Sequence, residues 1–162
     1  MKQMRLIIVL CISLLFSLQT SAQKKYDKAL AKADKSYTSG KYSSAISALE
    51  KFKKMVVAKL GTNNKYMPGY YLREARYNLA YGILTGFEGS LTQAQNVSSG
   101  FYGENTLNHA NTLVDIAQIY NDYGYYRLSR EILKQTSNIL IQSGQEDPAL
   151  KSKLVLTTAE AM

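Results

Sequence analysis

Cysteine, tryptophan, histidine and proline are nearly missing from this chain. Of 162 residues one is cysteine, none is tryptophan, one is histidine and two are proline. The single thiol, Cys11, closes no intramolecular disulfide and builds no thiolate metal site. The lone His109 leaves a zinc site short of ligands. Nucleophilic catalysis needs a base with an orienting acid in reach, and nothing marks such a set. His109 stands at an expected helix start near Asn108 and Asn111, where a surface or capping role is expected. There is no phosphate-cradling loop either: Gly82, Gly86 and Gly89 are separated by apolar residues and lack a following Lys-Ser/Thr. Asp115 and Asp122 share one helix face, with Arg127 and Arg130 as their expected ion-pair partners. No catalytic residue, metal ligand or cofactor is assigned, and the chain is expected not to be an enzyme.

Long apolar runs are also scarce, with one exception at the N-terminus. Lys2 and Arg5 precede an apolar stretch from Leu6 to Leu18, interrupted only by Ser13 and Ser17. Thr20-Ser21-Ala22 then supplies the small residues that a signal peptidase reads. Residues 1–22 therefore read as a signal peptide cut between Ala22 and Gln23. Roughly 13 apolar residues fall short of the ~20 that span a bilayer, so no transmembrane helix is expected after cleavage. Cys11 follows Leu10 in mid-run, without the small residue that a lipidation cysteine needs before it. The junction resembles Gram-negative export signals and implies a periplasmic or secreted protein. Cleavage would remove the only cysteine, leaving packing alone to hold the remainder.

Acidic residues are outnumbered: 20 Lys and Arg face 12 Asp and Glu, a net charge of +8. Ten lysines lie between Lys24 and Lys59. A nucleic-acid patch would show the same excess. Here, however, Asp27, Asp34 and Glu50 are interspersed at helical spacing, which describes a solvated helix face. No nucleic-acid partner is expected; peripheral association with the envelope is compatible with the charge.

Apolar residues recur at three and four throughout, which predicts an all-α chain. Helices are expected over 24–38, 42–60, 68–85, 89–98, 105–122, 125–143 and 148–161. Pro68 and Pro148 both fall at helix starts, where a missing N–H is harmless. Internal repetition has a step of 42 residues: Ala33, Ala75, Ala117 and Ala159; Gly40, Gly82 and Gly124; Leu49, Leu91 and Leu133; Gly61 and Gly103. In the first and third copies the alanine marks a close helix crossing, the glycine ends the first helix, and Tyr42 or Tyr126 packs back into the hairpin. In the second copy, Leu72, Ala75, Leu79, Ile83 and Phe87 form a continuous stripe. It favours a helix running past Gly82, a turn at Gly86 to Gly89, and a crossing shifted to Leu79-Ala80.

Leu113, Ile116, Ala117, Tyr120, Gly124 and Tyr126 resemble the first helix and turn of a tetratricopeptide repeat, the TPR. Ser129 departs from it, standing where that motif usually has alanine. The step of 42, with Gly103 and Ala110, resembles the longer kinesin-light-chain variety. The first unit matches through Ala33, Gly40, Tyr42, Ala45 and Leu49; the second matches poorly. The resemblance implies an α-solenoid of helix-turn-helix hairpins, a right-handed superhelix. Its domain would span residues 23–162, with units over about 24–60, 66–100 and 103–143 and a partial fourth over 147–162. In the last, Leu150, Leu154 and Leu156 either make a cap on the third hairpin, or the chain is a truncated piece of a longer repeat protein.

By the same resemblance, first helices line a concave groove. The groove positions are Asp27, Leu30, Asp34, Tyr37 and Thr38 in the first unit, Arg73 and Arg76 in the second, and Asn111, Val114, Gln118, Asn121 and Asp122 in the third. The implied function is a scaffold that binds a protein or peptide segment there. Two other readings stay open: the regulatory arm of a larger enzyme or signalling protein, and a carbohydrate- or envelope-binding module. The latter would use the tyrosines clustered at Tyr66, Tyr70, Tyr71, Tyr77 and Tyr81 and at Tyr120, Tyr123, Tyr125 and Tyr126, which equally suit helix–helix seams.

Overall fold

In the computed structural model residues 23–162 are described; the expected export signal, with its cleavage site, lies outside them. The described residues form helices and their connecting turns, with no strand among them. Helix α1 covers residues 23–38. The others are α2 (Tyr42–Leu60), α3 (Met67–Ala80), α4 (Phe87–Tyr102), α5 (Leu107–Asp122), α6 (Tyr126–Ser143) and α7 (Pro148–Glu160). The chain divides into two compact units, one ending at Phe52 and the other running from Lys53 to Met162, with the boundary inside α2.

In the first unit Tyr26, Ala33, Ala45, Leu49 and Phe52 are buried. Gly40 ends α1 in the left-handed region at φ 71°. Its N–H donates to the Tyr37 carbonyl and that of Lys41 to the Ser36 carbonyl, the Schellman pair that satisfies a helix's last carbonyls. The Tyr37 and Tyr42 rings meet across this turn with centroids 5.6 Å apart.

In the second unit α3 packs on α4, α4 on α5, α5 on α6, and α7 on both α5 and α6. One cluster draws Ala75 and Leu79 from α3, Phe87, Leu91 and Ala94 from α4, Leu113, Val114, Ile116 and Ile119 from α5, Ile139 from α6 and Leu150 from α7. A second joins Ala117 of α5, Leu133 of α6 and Ala161. The α3–α4 hairpin has a polar clasp: Tyr70 Oη donates to Glu74, whose other oxygen accepts from Ser90 Oγ at 2.7 Å. Thr106 caps α5 by accepting from the His109 N–H, and Asp147 caps α7 by accepting from that of Leu150.

Helix α3 stops at Ala80 and does not continue past Gly82. Gly82 adopts φ 87°, and the N–H groups of Gly82 and Ile83 close back on Leu79 and Asn78. Gly124 and Tyr125 repeat the pattern on Asn121 and Tyr120. The connection therefore runs from Tyr81 to Gly86, and Gly89 lies inside α4. The stripe misleads because two of its members lie outside α3: Ile83 is in the turn, 40% exposed, and Phe87 is buried as the first residue of α4. Ala75 is fully buried, whereas Ala80 is only half-buried.

One further expectation changes, and the last alanine of the step differs from the other three. Tyr126 does not pack back; it is exposed, and Tyr125 lies beside Phe87 and Tyr120, with centroids 5.5 and 6.1 Å away. Ala159 is exposed, unlike the fully buried Ala33, Ala75 and Ala117, and α7 buries Leu150, Thr157 and the adjoining Ala161 instead.

Candidate functional site

The groove positions read on α5 are joined to α7. Lys153 Nζ reaches Asn111 Oδ1 at 3.0 Å and Asp115 Oδ1 at 2.8 Å. Gln118 Nε2 donates to Asp122 at 2.9 Å and to Glu160 at 2.8 Å, while its carbonyl accepts from Thr157. Asn121 is buried, and its amide donates to the Thr157 backbone carbonyl at 2.8 Å. Asp115 and Asp122 thus take Lys153 and Gln118 as partners. The expected arginines go elsewhere: Arg127 pairs with Glu131, and Arg130 donates to the Ala161 carbonyl.

The other groove positions lie on α1 and α3. Arg73 donates to the Gly69 carbonyl one turn back in α3, whereas Arg76 is half-buried with no ion-pair or hydrogen-bond partner among the described residues. Asp34 and Tyr37 lie half-buried on α1 in the first unit. The tyrosines divide: Tyr70 and Tyr77 are core, with Lys53 Nζ 4.9 Å above the Tyr70 ring, while Tyr81, Tyr123, Tyr125 and Tyr126 are exposed.

Helix α7 presents an uncovered apolar face. Val155, Leu156 and Ala159 stand 42 residues after Leu113, Val114 and Ala117, which are fully buried in α5. Ala117 is covered there by Leu133 of α6. On α7 the counterparts are open: Val155 is 67% and Leu156 66% exposed, and no described residue covers them. Leu156 is therefore not part of a cap. With Pro148, Lys151 and Ser152, these two side chains line a shallow depression.

A different recess opens between α4 and α6. Six carboxamides line it: Gln95 and Asn96 from α4, Asn105 from the α4–α5 loop, and Gln135, Asn138 and Gln142 from α6. Its volume is about 390 Å³. Glu104 is its one charged residue and Ile139 its one apolar residue. His109 also lines it and is not a surface residue: it is only 2% exposed, and its Nδ1 has no hydrogen-bond partner among the described residues. Burial pushes the imidazole below its ordinary pKa, with the Glu104 carboxylate pulling the other way. Sequence reading missed this recess because its residues come from three segments, and carboxamides on helix surfaces carry no periodic signal.

Among the described residues no group of three or more His, Cys, Asp or Glu is placed to hold a metal ion, and no helix is long and apolar enough to cross a membrane. No family model, curated protein or solved structure matches the chain.

Proposed function

We propose that this chain is an exported, non-catalytic interaction scaffold, built as a TPR-like solenoid of three hairpin units and the start of a fourth, which binds a helix of a partner protein. The solenoid reading is supported by three Schellman turns and three buried alanines at the step of 42. Export rests on the sequence of residues 1–22. One observation carries the binding role: Val155, Leu156 and Ala159 stand one step of 42 after three residues that are fully buried on α5, and they lie open.

That register also describes the partner. Helix α6, which packs on α5, buries Ser129, Leu133, Thr136 and Ile139, two large apolar residues alternating with two small hydroxyl residues. A helix with this pattern would bury Val155 and Leu156, each worth about 1.5–3 kcal/mol on full burial. The groove side chains of α5 already bond to α7, so the outer face of α7 is the better docking surface.

The test is co-purification of partners from the native envelope. The Val155→Glu/Leu156→Glu double variant should lose them while keeping the wild-type circular dichroism and melting temperature. Tyr37→Ala and Arg76→Ala should keep them. The opposite pattern would return binding to the first-helix groove.

A further inference from the structure

The recess between α4 and α6 has the chemistry of a ligand site, and its chemistry is specific. Each carboxamide offers both a donor and an acceptor. None of the six makes a side-chain hydrogen bond to another described residue, although the chain uses such bonds freely along the α5–α7 seam. Glu104 adds an acceptor. No Lys or Arg lines the recess and Glu104 adds a negative charge, which disfavours phosphates, nucleotides and carboxylates as its ligands. Ile139 alone is apolar, too little for a lipid tail or for the side chains of a bound peptide. What remains is a neutral molecule dense in groups that both donate and accept, which is to say hydroxyls.

His109 makes the second, independent observation. A ring nitrogen buried without a partner costs about 1–3 kcal/mol. The neutral imidazole favoured by burial is a donor at one nitrogen and an acceptor at the other. A hydroxyl suits Nδ1 in either tautomer, whereas a carbonyl or an ammonium suits only one; the nitrogen is itself closed to solvent, so a ligand meets it once the ring turns toward the recess. About 390 Å³ falls within the range of small-molecule sites, ~300–1,000 Å³.

We infer that the α4–α6 recess binds a neutral saccharide, one or two rings of a glycan, through Gln95, Asn138, Gln142, Glu104 and His109. This site shares no residue with the α7 face and stands or falls separately from it.

The isotope-labelled full chain is titrated with maltose, cellobiose, lactose and N,N′-diacetylchitobiose while its side-chain amide signals are followed by NMR. At least one disaccharide should move the Asn138 and Gln142 carboxamide signals and leave those of Gln93 and Gln145, outside the recess, in place. Asn138→Ala and Gln142→Ala replace exposed residues, so the fold is kept, and each should weaken binding about tenfold. The inference is overturned if no disaccharide moves those signals at tens of millimolar, if triglycine moves them and the sugars do not, or if both variants bind as tightly as wild type.

Discussion

Ser129 illustrates how much one atom can cost. It is fully buried on α6, and its Oγ has no partner among the described residues. Alanine would remove a desolvated hydroxyl and leave the packing intact. Ser129→Ala should therefore stabilise the fold by about 1 kcal/mol, read as a raised urea midpoint with an unchanged slope. Two glycines give a sharper contrast, because an added Cβ meets nothing within 4 Å at either one. Gly82 sits at φ 87°, so Gly82→Ala should cost about 1–2 kcal/mol in backbone strain. Gly100 lies inside α4, where Gly100→Ala should gain roughly 0.4–1 kcal/mol. Were α3 continuous through residue 82, both substitutions would stabilise, so urea titration of the pair also checks the register. His109 adds a pH dependence. Its folded pKa is depressed, so the unfolded chain binds the extra proton first. The contribution is complete above the unfolded value of about 6.5 and is lost as pH falls through the lower folded value. The urea midpoint should drop between pH 7.5 and 5.5, and His109→Gln should flatten that part of the drop. The sequence displayed the imidazole's rarity but not its burial, because neighbours on α4 and α6 enclose it.

Between elements, the α5–α7 seam sets a buried amide against a surface ion pair. Asn121 donates to the Thr157 carbonyl from a buried position, and removing it strands that carbonyl. Asn121→Ala should cost about 1–3 kcal/mol. Lys153 and Asp115 keep 38% and 35% side-chain exposure, so Lys153→Ala should cost only about 0.2–1 kcal/mol despite an equally short contact. Hydrogen exchange would separate the two: α7 amides should lose protection in the first variant and largely keep it in the second. Helix boundaries were mostly legible in the sequence, since α2 and α6 begin and end within a residue of where periodicity and glycine place them. The end of α3 was not. Apolar spacing continued through the turn, and the deciding feature was a backbone conformation that glycine permits without announcing. The fate of Asn111, Gln118 and Asn121 was equally hidden, because a polar residue on a helix face looks the same whether it meets a ligand or the next helix.

For the molecule as a whole, one column of the 42-residue step has two fates. Leu113 is fully buried in a cluster that draws on all five helices from α3 to α7. Leu113→Ala leaves a cavity at that junction and should cost about 2–5 kcal/mol. Because the cluster is shared, exchange protection should fall in those helices together, not in α5 alone. Val155 stands at the same place in the step and touches solvent. Val155→Ala should alter stability by less than about 0.5 kcal/mol, since no cavity forms at an exposed site. A partner helix would reverse this insensitivity. Once Val155 is buried at an interface, the same truncation removes contacts and area that only the complex possesses. Its effect should then appear in the dissociation rate, at roughly tenfold for about 1.4 kcal/mol, with the free protein's urea curve unchanged. A Val155→Ala variant whose partner dissociates at the wild-type rate would show that this face is idle, however closely its register copies that of α5.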